Sequence, residues 1–248
     1  MKLRWIIFLV ILDPGSAARA GPPFLTDDPE PVEYGHWEVN NALTGTRASS
    51  ETFAYLPQVD INYGVQPGVQ LHLMPQVGYR ATAEQQGFAR GNTELGIKYR
   101  LTPDSDEPQD WMVAIYPLYE LSSGNALRFQ GTGASSTYLP VWVQTQRGRW
   151  TFYGGGGYWI NPGASRQNAW AAGWVTLYQW SPRLQWGCEW FVQTNNSLPR
   201  QGAASGFNLG GNYEFAQGYA LLFSVGQGLT NVSATNQGSY YLGLQRVY

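Results

Sequence analysis

A histidine facing an asparagine, with an aspartate two positions away, is the first place in this sequence where side chains could do chemistry. Folding Phe53–Tyr79 back on itself at Gln66-Pro67-Gly68 puts His72 opposite Asn62 and close to Asp60. A histidine oriented by an amide or carboxylate serves as a hydrolase base, provided a nucleophile lies within hydrogen-bond reach. Neither arm of this hairpin contains a serine. A nucleophile would have to come from elsewhere, so no catalytic residue is expected.

The other chemical candidates are weaker still. Gly154 to Gly157 precede Tyr158-Trp159-Ile160, with no following Lys-Ser or Lys-Thr. They read as strand glycines that permit bending or leave interior space, not as a phosphate cradle. Two histidines and one cysteine without ligand spacing point away from a transition-metal site, and no cofactor is expected. His36 sits at a strand start and reads as interfacial. Cys188 alternates with tryptophans and reads as a small apolar filler. Asp27, Asp28, Glu30 and Glu33 lie in a Pro-rich stretch whose spacing fits no calcium loop.

The larger set of reactive groups is spread along alternating segments: Asp60, His72, Arg80, Glu94, Lys98, Arg100, Glu120, Glu189 and Glu214. Each occupies the polar phase of a stretch whose other phase is apolar. In the hairpin that apolar phase is Phe53, Tyr55, Pro57, Val59, Ile61 and Tyr63, then Val69, Leu71, Leu73, Pro75, Val77 and Tyr79. Successive strand side chains point to opposite faces, so each strand has one apolar face and one wet face. A length near ten residues ending in an aromatic fits a membrane-crossing strand. On that reading the charges line a water-filled lumen, where they remain hydrated, pair, and bias the passage of solutes. Their mixed signs argue against strong anion or cation preference. A salt-bridge network that simply closes the interior is the competing reading.

The same alternation recurs to the end of the chain. Strands are expected from His36 to Thr46, through the hairpin, then over Thr93–Leu101, Trp111–Leu121, Thr137–Thr145, Trp150–Ile160 and Ala169–Trp180. Further strands begin at Leu184, near Phe207 and at Tyr219, and the last ends at Tyr248. Residues 137–145 and 169–180 are apolar on both sides, which leaves their facing open. Ala81 to Arg90 reads as a polar loop. The total is about twelve strands, an even number, as in single-chain bacterial barrels. Connections after the second, sixth, eighth and tenth strands are short, and most others are long. Short turns at one end and long loops at the other are how outer-membrane barrels are built, with both termini periplasmic. Tyr63, Tyr99, Trp111, Trp150, Trp180, Trp186, Phe215, Tyr219 and Tyr248 gather at the short-turn end, where amphipathic rings suit the headgroup level. A soluble β-sandwich is the rival fold, and it does not explain that gathering.

Composition agrees. The 248 residues are only 13% charged but 15% aromatic, with 11 Trp and 16 Tyr. No Lys/Arg excess suits nucleic acid. Residues 1–20 read as a secretory signal: Lys2 and Arg4, an apolar run from Trp5 to Leu12, and Ala18-Arg19-Ala20 as the cleavage site. Residues 21–35 read as an extended acidic arm, and 36–248 as an antiparallel up-and-down transmembrane β-barrel of outer-membrane type. The arm's acids are placed in or under the lumen near Arg80, Lys98 and Arg100, as a plug. The ending Tyr240, Leu242, Leu244, Tyr248 resembles the signal by which outer-membrane barrels engage their assembly machinery, with Arg246 as a departure.

Several segments together resemble the MetA-pathway of phenol degradation family of bacterial outer-membrane proteins. They are Phe24-Leu25-Thr26-Asp27-Asp28, Gly35-His36-Trp37-Glu38-Val39, Leu95-Gly96-Ile97-Lys98-Tyr99-Arg100 and the Gly-rich Tyr153 to Gly163. The resemblance implies an outer-membrane barrel in a Gram-negative cell that passes small hydrophobic or aromatic compounds. It supplies no catalytic residues. The expected function is a passive channel. A filled, structural envelope barrel is the alternative, and a lipid-modifying enzyme at the barrel rim the weakest reading.

Overall fold

Alternation of apolar and polar residues has one consequence for a long strand: its apolar face must leave water. A computed structural model describes residues 22–104, 110–124, 133–163, 166–194 and 202–248; the signal segment expected over 1–20 lies outside them. Twelve strands close into one antiparallel barrel. They are β1 (Trp37–Arg47), β2 (Glu51–Gln66), β3 (Val69–Thr82), β4 (Gln86–Arg100), β5 (Met112–Ile115 continued by Leu118–Leu121) and β6 (Ser136–Arg147). The second half holds β7 (Trp150–Ile160), β8 (Ala169–Ser181), β9 (Leu184–Gln193), β10 (Ala204–Ala216), β11 (Tyr219–Thr230) and β12 (Gly238–Val247). Each strand pairs with its sequence neighbours, and β1 pairs with β12, Glu38 opposite Val247. Closure leaves no sheet edge, which lets every ladder group be satisfied inside a bilayer.

The faces are inverted relative to a soluble protein. Leu71, Leu73, Leu95, Ile97, Leu139, Val141, Leu209, Leu242 and Leu244 are exposed on the outside. Asn40, Asp60, Asn62, Gln70, His72, Lys98, Glu189, Asn208 and Gln245 are buried inside. An apolar belt of this extent around a polar interior is stable in acyl chains and not in water. The two ambiguous strands resolve the same way. Tyr138, Pro140 and Trp142 of β6 point inward and Leu139 and Val141 outward; in β8, Val175 and Leu177 point inward and Trp170, Trp174 and Trp180 outward.

Three expectations change. Residues 81–90 are not a loop: β3 and β4 continue past the apolar belt and pair Arg80 with Gly87 and Tyr79 with Phe88, leaving 83–85 as the turn. Polar side chains do not end a ladder whose backbone bonds are still paired. β5 is interrupted at Tyr116-Pro117, because proline has no N–H to give its neighbour; the register with β4 is the same on both sides of the break. Gly154 to Gly157 serve close approach and not open space. Gly155 has φ +148°, and a Cβ there would lie 2.0 Å from the Val141 carbonyl oxygen.

Turns at 67–68, 148–149, 182–183 and 217–218 share one end of the barrel with the start of β1 and the end of β12. That end carries the ring contacts Trp37–Tyr63, Trp150–Tyr178, Tyr178–Trp180, Trp180–Trp186 and Phe215–Tyr219. Arg246 fits among them: its guanidinium lies 4.9 Å from the Tyr219 ring and 4.1 Å from the Tyr248 ring.

Candidate functional site: the lumen and its arm

The inward side chains form two networks on one half of the wall. Asn40 donates to Glu38 (3.0 Å) and to Asp60 (3.1 Å), and Asn62 donates to Asp60 (2.9 Å). Gln70 donates to Asn62 Oδ1 at 2.8 Å. His72 closes this set. Its Nδ1 lies 3.0 Å from Asp60 Oδ1 and 3.0 Å from Asn62 Oδ1, and its Nε2 lies 3.2 Å from Glu94 Oε1. The ring's edge meets Tyr116 at 5.9 Å. Its polar partners are carboxylates and an amide; a hydroxyl nucleophile is not among them in the described residues. The second network is higher, where Asn92 and Ser136 donate to Glu120 at 2.6 and 3.0 Å.

The chain from Pro22 to His36 enters this space at the short-turn end. Gly35 N donates to the Gly64 carbonyl (2.8 Å) and Gly64 N to that of His36 (3.1 Å). A Cβ on Gly64 would lie 2.0 Å from the Glu33 carbonyl oxygen, so only glycine lets the arm turn in here. Val32 N donates to Gln70 Oε1 at 2.8 Å. Next, Lys98 Nζ, buried in β4, reaches Asp27 Oδ1 (3.0 Å), Asp28 Oδ1 (3.7 Å) and the Glu30 carbonyl (3.4 Å). Loss of water around Glu30, reinforced by nearby Asp28 and opposed by Lys98 and Arg100, pushes its carboxyl up to about 8.

The arm then reaches the far wall. Thr26 N and Leu25 N donate to the Glu189 carboxylate of β9 at 2.6 and 3.3 Å, and Asn208 Nδ2 donates to it at 2.5 Å. Ser224 of β11 donates to the Pro23 carbonyl at 2.7 Å. Phe24 packs on the cluster Tyr153, Val175 and Leu177. Thr26 fills the space a side chain at Gly173 would need: a Cβ there would be 1.9 Å from its Oγ1. In a ring of twelve strands β10 stands opposite β4, with β9 and β11 beside it. The arm therefore crosses the lumen nearly along a diameter.

The residues named from sequence do not all gather. Arg80 pairs with Glu51 above the arm, and Glu33 stays exposed at the mouth, 3.9 Å from His36. Arg100 pairs with Asp104. Glu214 faces inward at the short-turn end, half-buried. Sequence reasoning missed Glu38, Asn40 and Gln70, which the alternation of β1 and β3 would have placed. It also missed an aromatic patch on the lumen wall: Tyr138 stacks on Trp159 at 4.6 Å, Trp142 and Tyr116 adjoin them, and Leu118 packs alongside. Among the described residues, the buried indole N–H of Trp142 has no hydrogen-bond partner.

Known structures share this architecture. The COG4313 outer membrane channel from Pseudomonas putida F1 aligns with a TM-score of 0.73 at 13% identity, over 89% of this chain and 98% of that one. The NanC porin aligns at 0.57 and 12% identity, over 85% of this chain and 98% of its own. The KdgM porin, in complex with disordered oligogalacturonate, aligns at 0.53 and 9% identity, over 84% and 98%. No protein-family profile matches the sequence, and no curated protein matches it. At such identities the similarity is one of fold: a twelve-stranded barrel of outer-membrane type.

Proposed function

We propose that this protein is a passive channel of the outer membrane for small solutes, with a lumen plugged by its own N-terminal arm. The observation that carries the reading is the arm's path: it is clamped to Lys98 on one wall and to Glu189 and Ser224 on the other. A polar interior with ordered charges suits solute passage, and channels and porins share the fold. The C-terminus and the start of β1 face the periplasm on this reading, because they share the short-turn end, and the arm enters the lumen from that side. The strand ending at Tyr248 is the one the assembly machinery reads; Arg246 is accommodated there by the two flanking rings. The solutes are small and hydrophobic or aromatic, as the resemblance to the MetA-pathway family implies. The stacked Tyr138 and Trp159 and the unoccupied Trp142 N–H offer a surface for an aromatic ring bearing an acceptor.

The test is conductance in planar bilayers of the full chain and of one lacking residues 21–35. Conductance should rise on deletion. Equal conductance removes the plug from the proposal. The second reading is a filled structural barrel, favoured by the way lumen side chains satisfy one another. Absence of ion and solute flux from both proteins would establish it.

A further inference from the structure

The inward cations differ in where their partners come from. His72 is held by Asp60 and Glu94, Arg80 by Glu51, and Arg100 by Asp104. Those pairs join wall to wall or wall to the adjoining turn, and they persist whatever the arm does. Lys98 is different: the carboxylates in contact with it, Asp27 and Asp28, both belong to the arm. Its ammonium also sits over the Tyr116 ring at 4.9 Å. The acids present a contrasting picture. They outnumber the cations: two carboxylates meet His72, two meet Lys98, and Glu120 is bonded to an amide and a hydroxyl, neither of which cancels a charge.

We infer that Asp27 and Asp28 determine the ionic preference of the channel by neutralising Lys98. The inference rests on the channel reading above. With the arm docked, every inward cation named here is paired and acidic groups remain in excess, so small cations pass in preference to anions. With the arm away, Asp27, Asp28 and Glu30 leave together and Lys98 is uncovered beside Arg100. A charge in a narrow, partly desolvated wall acts strongly on a passing ion, because the surroundings screen it poorly. The preference then moves toward anions. A plug that acted by bulk alone would alter how much passes without altering which sign passes.

Reversal potentials under a KCl gradient separate these cases. Four proteins are compared: the full chain, the D27N/D28N variant, the chain lacking 21–35, and that shortened chain carrying Lys98→Met. The full chain should favour K⁺. D27N/D28N removes the charges that neutralise Lys98 while the arm's bonds to Glu189, Gln70 and Ser224 remain, so its K⁺/Cl⁻ permeability ratio should fall severalfold, whatever share of the shortened chain's conductance gain accompanies the fall. The shortened chain should show both the fall and a conductance gain, and Lys98→Met should restore the K⁺ preference. D27N/D28N alters only the arm, so its result does not depend on a changed wall folding. An unchanged permeability ratio across the full chain, D27N/D28N and the shortened chain, with conductance rising on deletion, overturns this inference and leaves the plugged channel standing. Silent bilayers with all four proteins overturn both.

Discussion

Glu189→Gln isolates one clamp of the arm. The carboxylate receives N–H groups from Thr26 at 2.6 Å, Leu25 at 3.3 Å and Asn208 at 2.5 Å, and the residue is only 1% exposed. Thr26 N uses Oε1, and Leu25 N and Asn208 share Oε2; glutamine keeps one oxygen, so either Thr26 loses its acceptor or Leu25 and Asn208 lose theirs together, and an amide N–H₂ is turned toward a donor. A hydrogen bond to a charged group contributes about 1.5–3 kcal/mol, and a buried donor left without an acceptor costs about 1–3 kcal/mol. The long Leu25 contact adds little. A loss of about 3 kcal/mol in arm docking follows, roughly a hundredfold in the docked-to-undocked ratio at about 1.4 kcal/mol per factor of ten. Amide hydrogen exchange of the segment 22–32, in protein held in lipid nanodiscs, reads this directly. The segment should exchange roughly a hundredfold faster, while β9 and β10 keep their protection through unaltered ladder bonds. Ser224→Ala, which removes one neutral bond worth about 1 kcal/mol, sets a smaller step on the same scale. Arm exchange that is identical in Glu189→Gln and the parent protein would refute the clamp and the reasoning that gives it this weight.

Three further outcomes are expected. Gly64→Val puts a side chain where the Glu33 carbonyl and the Val32 carbonyl lie, at 2.0 and 2.6 Å from the first added carbon; the arm should undock, and bilayer conductance should approach that of the chain lacking 21–35. Docking holds Glu30 in its protonated form by raising its carboxyl from 4.5 to about 8. Its favourable share of docking is therefore complete below about pH 4.5 and is lost as pH rises through about 8; arm exchange, corrected for its intrinsic pH dependence, should quicken over that window, and Glu30→Gln should flatten the change. Arg246→Leu removes the guanidinium from between the Tyr219 and Tyr248 rings, each contact contributing about 0.5–1 kcal/mol; a small drop in the urea unfolding midpoint in detergent should register it, and an unchanged midpoint would mean the rings do not hold it.

The sequence by itself determined the wall. Alternation is a local property, because residues i and i+2 share a face wherever the backbone is extended. Leu71 and Leu73 could therefore be placed in lipid and Asp60, His72, Glu94 and Lys98 in the lumen before any pairing was known. The turn Gln66-Pro67-Gly68 and the aromatic strand ends were legible for the same reason. Where both phases are apolar the local signal is silent, and tertiary structure alone turned Tyr138 and Trp142 inward and Trp170 and Trp174 out. The same holds for β4, whose polar start was hidden because a ladder is stabilised by its partner strand and not by its own composition. The acidic arm and the lone downstream lysine were visible as a pair of opposite charges, but their contact joins Asp27 to Lys98 across 71 positions, and Thr26 to Glu189 across 163. Such contacts depend on barrel closure, strand stagger and the spaces left at Gly64 and Gly173. No periodicity carries them, because any two of the chain's 30 glycines look alike until the backbone that passes over them is in place.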